Sequence, residues 1–63
     1  MKIRLWFIRE TDKARLYSKI PPERNPGPED QIWVPRSVIE GATKFGNEHH
    51  VTITDWFAEK ENL

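Results

Sequence analysis

A proline stands at the centre of the most strand-like run in the chain, Ile32-Trp33-Val34-Pro35-Arg36-Ser37-Val38-Ile39. Proline donates no ladder hydrogen bond, so Pro35 suits a sheet edge, a bulge or a sharp bend and not the middle of a central strand. Apolar residues flank it, Ile32 and Val34 before and Val38 and Ile39 after. The run is therefore expected to turn a corner at Pro35 and re-enter the core, as strands do in a small curled sheet or barrel.

The remaining constraint is size. Sixty-three residues make a single domain, 1–63, and a domain of that length buries only about 60% of the surface its unfolded chain exposes. No cysteine is present, so neither a disulfide framework nor a thiolate zinc site reinforces the core. Three tryptophans are hard to bury in so small a body, and a homo-oligomer is the expected solution. No apolar run approaches the roughly 20 residues that span a bilayer, and the start Met-Lys-Ile-Arg-Leu-Trp-Phe-Ile has no small-residue cleavage site. These features lead to an expectation of a cytoplasmic protein without membrane contact.

Ten basic and ten acidic residues cancel, which removes any global field toward nucleic acid or an anionic membrane. They are unevenly placed. Residues 1–20 carry six basic against two acidic side chains, and residues 21–63 carry four against eight. The chain is thus a candidate dipole if its two parts remain apart in space.

Two hairpins are predicted. Lys2 to Ile8 and Ala14 to Ile20 are β-rich and flank the polar stretch Glu10-Thr11-Asp12-Lys13. A turn centred on Thr11 and Asp12 pairs Ile3 with Ile20, Leu5 with Ser18, Phe7 with Leu16 and Arg9 with Ala14 on a core face. The other face then pairs Arg4 with Lys19, Trp6 with Tyr17 and Ile8 with Arg15, with Lys2 at its end. The second hairpin runs from Gly41–Phe45 through the Gly46-Asn47 turn to His50–Thr54, and places Val51 and Ile53 on one face. Between the hairpins, Pro21, Pro22, Pro26, Gly27 and Pro28 predict a stiff loop of polyproline character, without helix or ladder pairing. Thr54 or Asp55 caps a short terminal helix held by Trp56 or Phe57. The expected fold is mainly β, a small twisted antiparallel sheet or half-closed barrel of four or five strands with a short C-terminal helix.

The strongest chemical signal is the basic and aromatic hairpin face. Single-stranded nucleic acid needs rings on which bases stack and cations that follow phosphates. Trp6, Tyr17, Arg4, Arg15 and Lys19 are of those types, and Trp33 and Arg36 add an anchor and a cation near the corner. Weaker signals point away from catalysis. His49 and His50 are adjacent and fall on opposite faces of a strand, which disfavours a shared metal. Ser37 lacks a nucleophile elbow and reads as a turn hydroxyl. Gly27, Gly41 and Gly46 form no phosphate loop. The residues predict a non-enzymatic protein with no cofactor and no metal.

The strand Ile32-Trp33-Val34-Pro35-Arg36-Ser37-Val38-Ile39 and the closing Ile53-Thr54-Asp55-Trp56-Phe57-Ala58-Glu59-Lys60 resemble short accessory proteins of phage and prophage genomes. Their first hairpin is similar to Phe7-Ile8-Arg9-Glu10-Thr11-Asp12-Lys13-Ala14, whereas the stretch 21–30 departs from the pattern. The resemblance implies a phage-type binding protein, with an inhibitor of a host immunity or nucleic-acid-processing complex as one form. It carries over no site residue. In that reading the partner is a protein, engaged by the acidic residues Glu40, Glu48, Asp55, Glu59 and Glu61, with Trp33 and the proline loop as anchor. Two alternatives stand beside it: single-strand binding on the hairpin face, and an oligomer that sequesters an anionic nucleotide through Arg4, Arg15 or Arg36.

Overall fold

The computed structural model describes all 63 residues. Five strands form one antiparallel sheet: β1 (Lys2–Glu10), β2 (Ala14–Ser18), β3 (Gln31–Pro35), β4 (Ile39–Phe45) and β5 (Glu48–Ile53), followed by α1 (Asp55–Lys60). Their spatial order is β3-β2-β1-β5-β4. β1 is central, with its own hairpin partner on one side and the late strand β5 on the other. The chain must then pass from one sheet edge, β3, to the other, β4. A single 3₁₀ turn, Arg36–Val38, makes that crossing directly after Pro35.

This is the corner that Pro35 predicts. Its missing amide costs nothing on an edge strand, and the turn is tied by Arg36 N–H to the Lys13 carbonyl at 2.9 Å and Thr54 N–H to the Val38 carbonyl at 3.1 Å. Ile32 and Val34 before the corner and Val38 after it are buried. With Leu5, Tyr17, Val51, Ile53, Phe57 and Ala58 they form the core, against which Ile3, Phe7, Ile39 and Leu63 pack. The two edges do not pair, so the sheet is curled and unclosed.

The first hairpin departs from the expected register. Thr11 closes a three-residue loop: its N–H donates to the Ala14 carbonyl at 2.8 Å and its hydroxyl accepts from Ala14 N–H at 3.3 Å. Facing pairs are Trp6–Ser18 and Phe7–Tyr17, then Arg9–Leu16 and Glu10–Arg15, with Ile8 as the extra residue of a β-bulge. Next to the loop the pairing is displaced by two residues, which keeps the expected parity, and the bulge at Ile8 then takes one residue back and exchanges the faces beyond it. Tyr17 therefore faces Phe7 in the core and not Trp6. Arg15 pairs with Glu10 and not with Ile8, and Arg4 faces His50 of β5 and not Lys19. Lys19 lies beyond the end of β2, where Ser18 stops the strand by accepting the Ile20 N–H at 3.2 Å.

The proline stretch also differs from a polyproline loop. It holds two 3₁₀ turns, Pro22–Arg24 and Pro28–Asp30, each opened by its proline. Proline is tolerated there because the first amide of a helical turn has no partner to lose. Asn25 takes the left-handed conformation between them (φ 52°), and the Asp30 carboxylate accepts the Gly27 N–H at 3.0 Å.

The second hairpin forms as expected around Gly46-Asn47, with Gly46 at φ 63°. In α1, Phe57 and Ala58 enter the core, while Trp56 is 59% exposed. Thr54 occupies the cap position, yet its buried hydroxyl makes no hydrogen bond. The helix is stopped by left-handed Asn62 (φ 57°), which lets Asn62 N–H reach the Glu59 carbonyl and Leu63 N–H the Ala58 carbonyl. These two bonds make a Schellman closure.

Candidate functional site

Cross-strand neighbours share a face, so the register sorts the side chains. The core faces inward, with α1 packed on that side. The outer face runs from Trp33 of β3 across Leu16 to Arg9, and from Ser18 across Trp6 and Glu48 to Phe45. Below Trp6 it continues through Arg4, His50 and Thr43, with Lys2 beyond.

On this outer face each tryptophan carries an arginine. The Arg4 guanidinium lies 5.3 Å from the Trp6 ring centre, and that of Arg9 lies 5.5 Å from the Trp33 ring centre. Trp33 is 44% exposed. Phe45, more exposed still, tilts against His50 at 5.0 Å, and His50 Nε2 lies 2.9 Å from the Glu48 carboxylate. Leu16 sits between Arg9 and Trp33, buried but outside the core cluster. The face thus presents planar rings with guanidinium groups lying over them, and Lys2, Arg4 and Arg9 outnumber the carboxylate of Glu48.

The inner face holds a second aromatic and basic group of opposite character. Tyr17 is fully buried, and its hydroxyl lies 2.9 Å from His49 Nδ1. Phe7 stacks on the His49 ring at 5.2 Å and meets Tyr17 edge-on at 6.0 Å. Arg15 Nη1 approaches the same hydroxyl at 3.5 Å. A guanidinium only donates, so the Tyr17 oxygen accepts from Arg15 while the same hydroxyl shares a hydrogen bond with His49 Nδ1. Burial lowers the His49 pKa, and the charges of Lys44 and Arg15 add to it. Toward solvent, one carboxylate oxygen of Glu10 accepts from Arg15 Nε at 3.3 Å and from Arg36 Nη2 at 2.7 Å. Beside them opens a cavity of about 190 Å³ lined by Arg15, Arg36 and Ile39.

The seven residues singled out in the sequence thus divide. Arg4, Trp6 and Trp33 come together on the outer face. Arg15 and Arg36 line the inner cavity with Tyr17 buried behind them, and Lys19 stands apart. Sequence reasoning missed Arg9, Phe45, His50 and Glu10. The signal for Arg9 was Ile8, an apolar residue that breaks the Ile3, Leu5, Phe7 alternation as a bulged residue does.

No protein-family model matches the chain, and no curated protein or solved structure matches it. No helix is long and apolar enough to cross a membrane.

Proposed function

We propose that the chain is a non-enzymatic binding protein that takes up an extended single-stranded nucleic acid on the outer face of its sheet. The observation that carries this reading is the pair of arginine-on-tryptophan stacks, Arg4 on Trp6 and Arg9 on Trp33. A ring flanked by a guanidinium offers a surface to a base and a cation to the phosphate beside it, and each stacked base contributes about 1–3 kcal/mol. The rings lie along a pleated surface without deep recesses, which fits a sequence-tolerant strand and not a small substrate.

The test is a fluorescence titration of labelled single-stranded DNA and RNA at two salt concentrations. Binding that weakens as salt rises is expected, and Trp33→Ala is expected to weaken it by about 1–3 kcal/mol with the fold intact. Absence of binding at low salt overturns the reading. A second reading, the phage-type inhibitor of a host complex, is favoured by α1, where exposed Trp56 lies among Asp55, Glu59 and Glu61. An acidic surface with an aromatic anchor suits a basic protein partner. Trp56→Ala separates the two readings, because the outer face leaves it without effect on oligonucleotide binding.

A further inference from the structure

The cavity beside Glu10 lies on the other side of the sheet from the proposed strand-binding face, and its chemistry is distinct. Two guanidinium groups converge there on one carboxylate oxygen, so the cluster keeps a net positive charge. Arg15 commits two of its five N–H bonds and Arg36 one, which leaves donors on both forks unused. Arg15 is held by β2 and by the buried Tyr17 hydroxyl, with its side chain 17% exposed. The turn after Pro35 fixes the Arg36 backbone, whose amide donates to the Lys13 carbonyl, while the Arg36 side chain is as open to solvent as that of Glu10, at the last position of β1. A rotation of the Glu10 side chain leaves both forks facing solvent.

We propose that this cavity is a site for a phosphate monoester, and that Glu10 is an internal counter-ion that the ligand displaces. Planar forks suit a tetrahedral oxyanion better than any single ammonium does, because each can bond two oxygens at once. A volume of about 190 Å³ admits the phosphate group but leaves little room for a base beside it. The rest of the ligand therefore projects outward. Glu10 follows Arg9 in β1, and Arg36 follows Trp33 by three residues, so the backbone positions that carry the cavity and the outer-face stack are neighbours, the Cα atoms of Trp33 and Arg36 lying at most about 11 Å apart. If the outer face binds a strand as proposed above, the phosphate taken here is that of a strand end.

Nuclear magnetic resonance of the arginine Nε–H groups of the full chain, titrated with inorganic phosphate at constant ionic strength, tests the site directly. Saturable shifts of Arg15 and Arg36 are expected with phosphate and not with chloride. Arg36→Gln should weaken binding about tenfold, and Glu10→Gln should tighten it by a similar factor, since it removes the competitor while keeping the shape. Glu10→Asp, with a shorter reach, should also tighten it and guards against a folding defect in one variant. Identical responses to phosphate and chloride, or no gain in either Glu10 variant, overturn the site.

Oligonucleotides with a 5′-phosphate, a 3′-phosphate or neither then address the source. One terminal phosphate should improve binding about tenfold in the wild type and not in Arg36→Gln. Equal binding of all three, with inorganic phosphate still bound, rejects the strand end as its source. Phosphate binding without any oligonucleotide binding overturns the outer-face reading alone.

Discussion

On the outer face of the sheet Arg4 lies over Trp6 and Arg9 over Trp33, whereas on the inner face Phe7 stacks on His49 and Arg15 reaches the Tyr17 hydroxyl. Both groups combine rings with arginine, and both draw on β1, joined by β3 in the outer group and by β2 and β5 in the inner one. They differ in what surrounds them. The inner rings are enclosed by β-branched side chains and α1, so their polar atoms must find partners within the protein, and they do. The outer rings keep one side in water, so their arginines are available to something else. An aromatic and basic cluster is thus a folding element or a binding surface according to strand parity, and here one bulged residue, Ile8, decides the parity.

The comparison breaks most decisively at the core. Tyr17→Ala is expected to cost about 3–5 kcal/mol in urea unfolding, the range for deleting a buried aromatic, while Trp33→Ala is expected to cost less than about 1 kcal/mol. Similar losses for the two variants would show that the faces do not differ as described. Deleting Ile8 comes next. Without the extra residue Arg9 follows Phe7 directly, so regular alternation keeps Arg9 outward and Glu10 inward beside Arg15 and Arg36, and a loss of less than about 1 kcal/mol is expected from the same measurement.

The pH dependence sharpens the contrast further. The folded protein holds His49 neutral, with its pKa below the usual histidine range because of burial, Lys44 and Arg15. A depressed pKa stabilises the fold fully above the unfolded value of about 6.5. The contribution is then lost as the pH falls through that value toward the folded pKa. Urea midpoints should therefore drop between neutral and mildly acid pH in the wild type, and His49→Gln should flatten this drop. An equally steep drop in the variant would assign the effect to other groups. The smallest effect belongs to the outer face: Arg9→Gln should reduce the slope of log affinity against log salt for single strands by about 0.7, one phosphate contact. An unchanged slope would place Arg9 outside the binding surface.

Several features were readable in the residues before any coordinates. Pro35 between two apolar pairs has few other places to sit than an edge turn, and Gly46-Asn47 between alternating runs marks a hairpin. His49 and His50 fall on opposite faces because adjacent strand residues always do. The first hairpin was less readable, because the extra residue at Ile8 shifts its register by one, and a shift of one residue exchanges every face beyond it. That is why Tyr17 was expected outside and lies in the core. The Glu10, Arg15 and Arg36 cluster was out of reach for another reason: it joins β1, β2 and the 3₁₀ turn, which only the edge-to-edge crossing brings together.

The pairing of β1 with β5 has a consequence for how the chain acquires its structure. Ile3 faces Val51 and Leu5 faces His49, so the central ladder joins the first residues to some of the last, and nearly the whole polypeptide must be looped before it forms. Each hairpin can zip on its own within microseconds, yet an isolated hairpin is marginal in water. Closure of the β1–β5 seam is then the slow, entropy-limited event, in the millisecond-to-second range typical of sheets with distant contacts. A ribosome-bound chain released only through β4 would still lack it, and folding must wait for β5 to emerge.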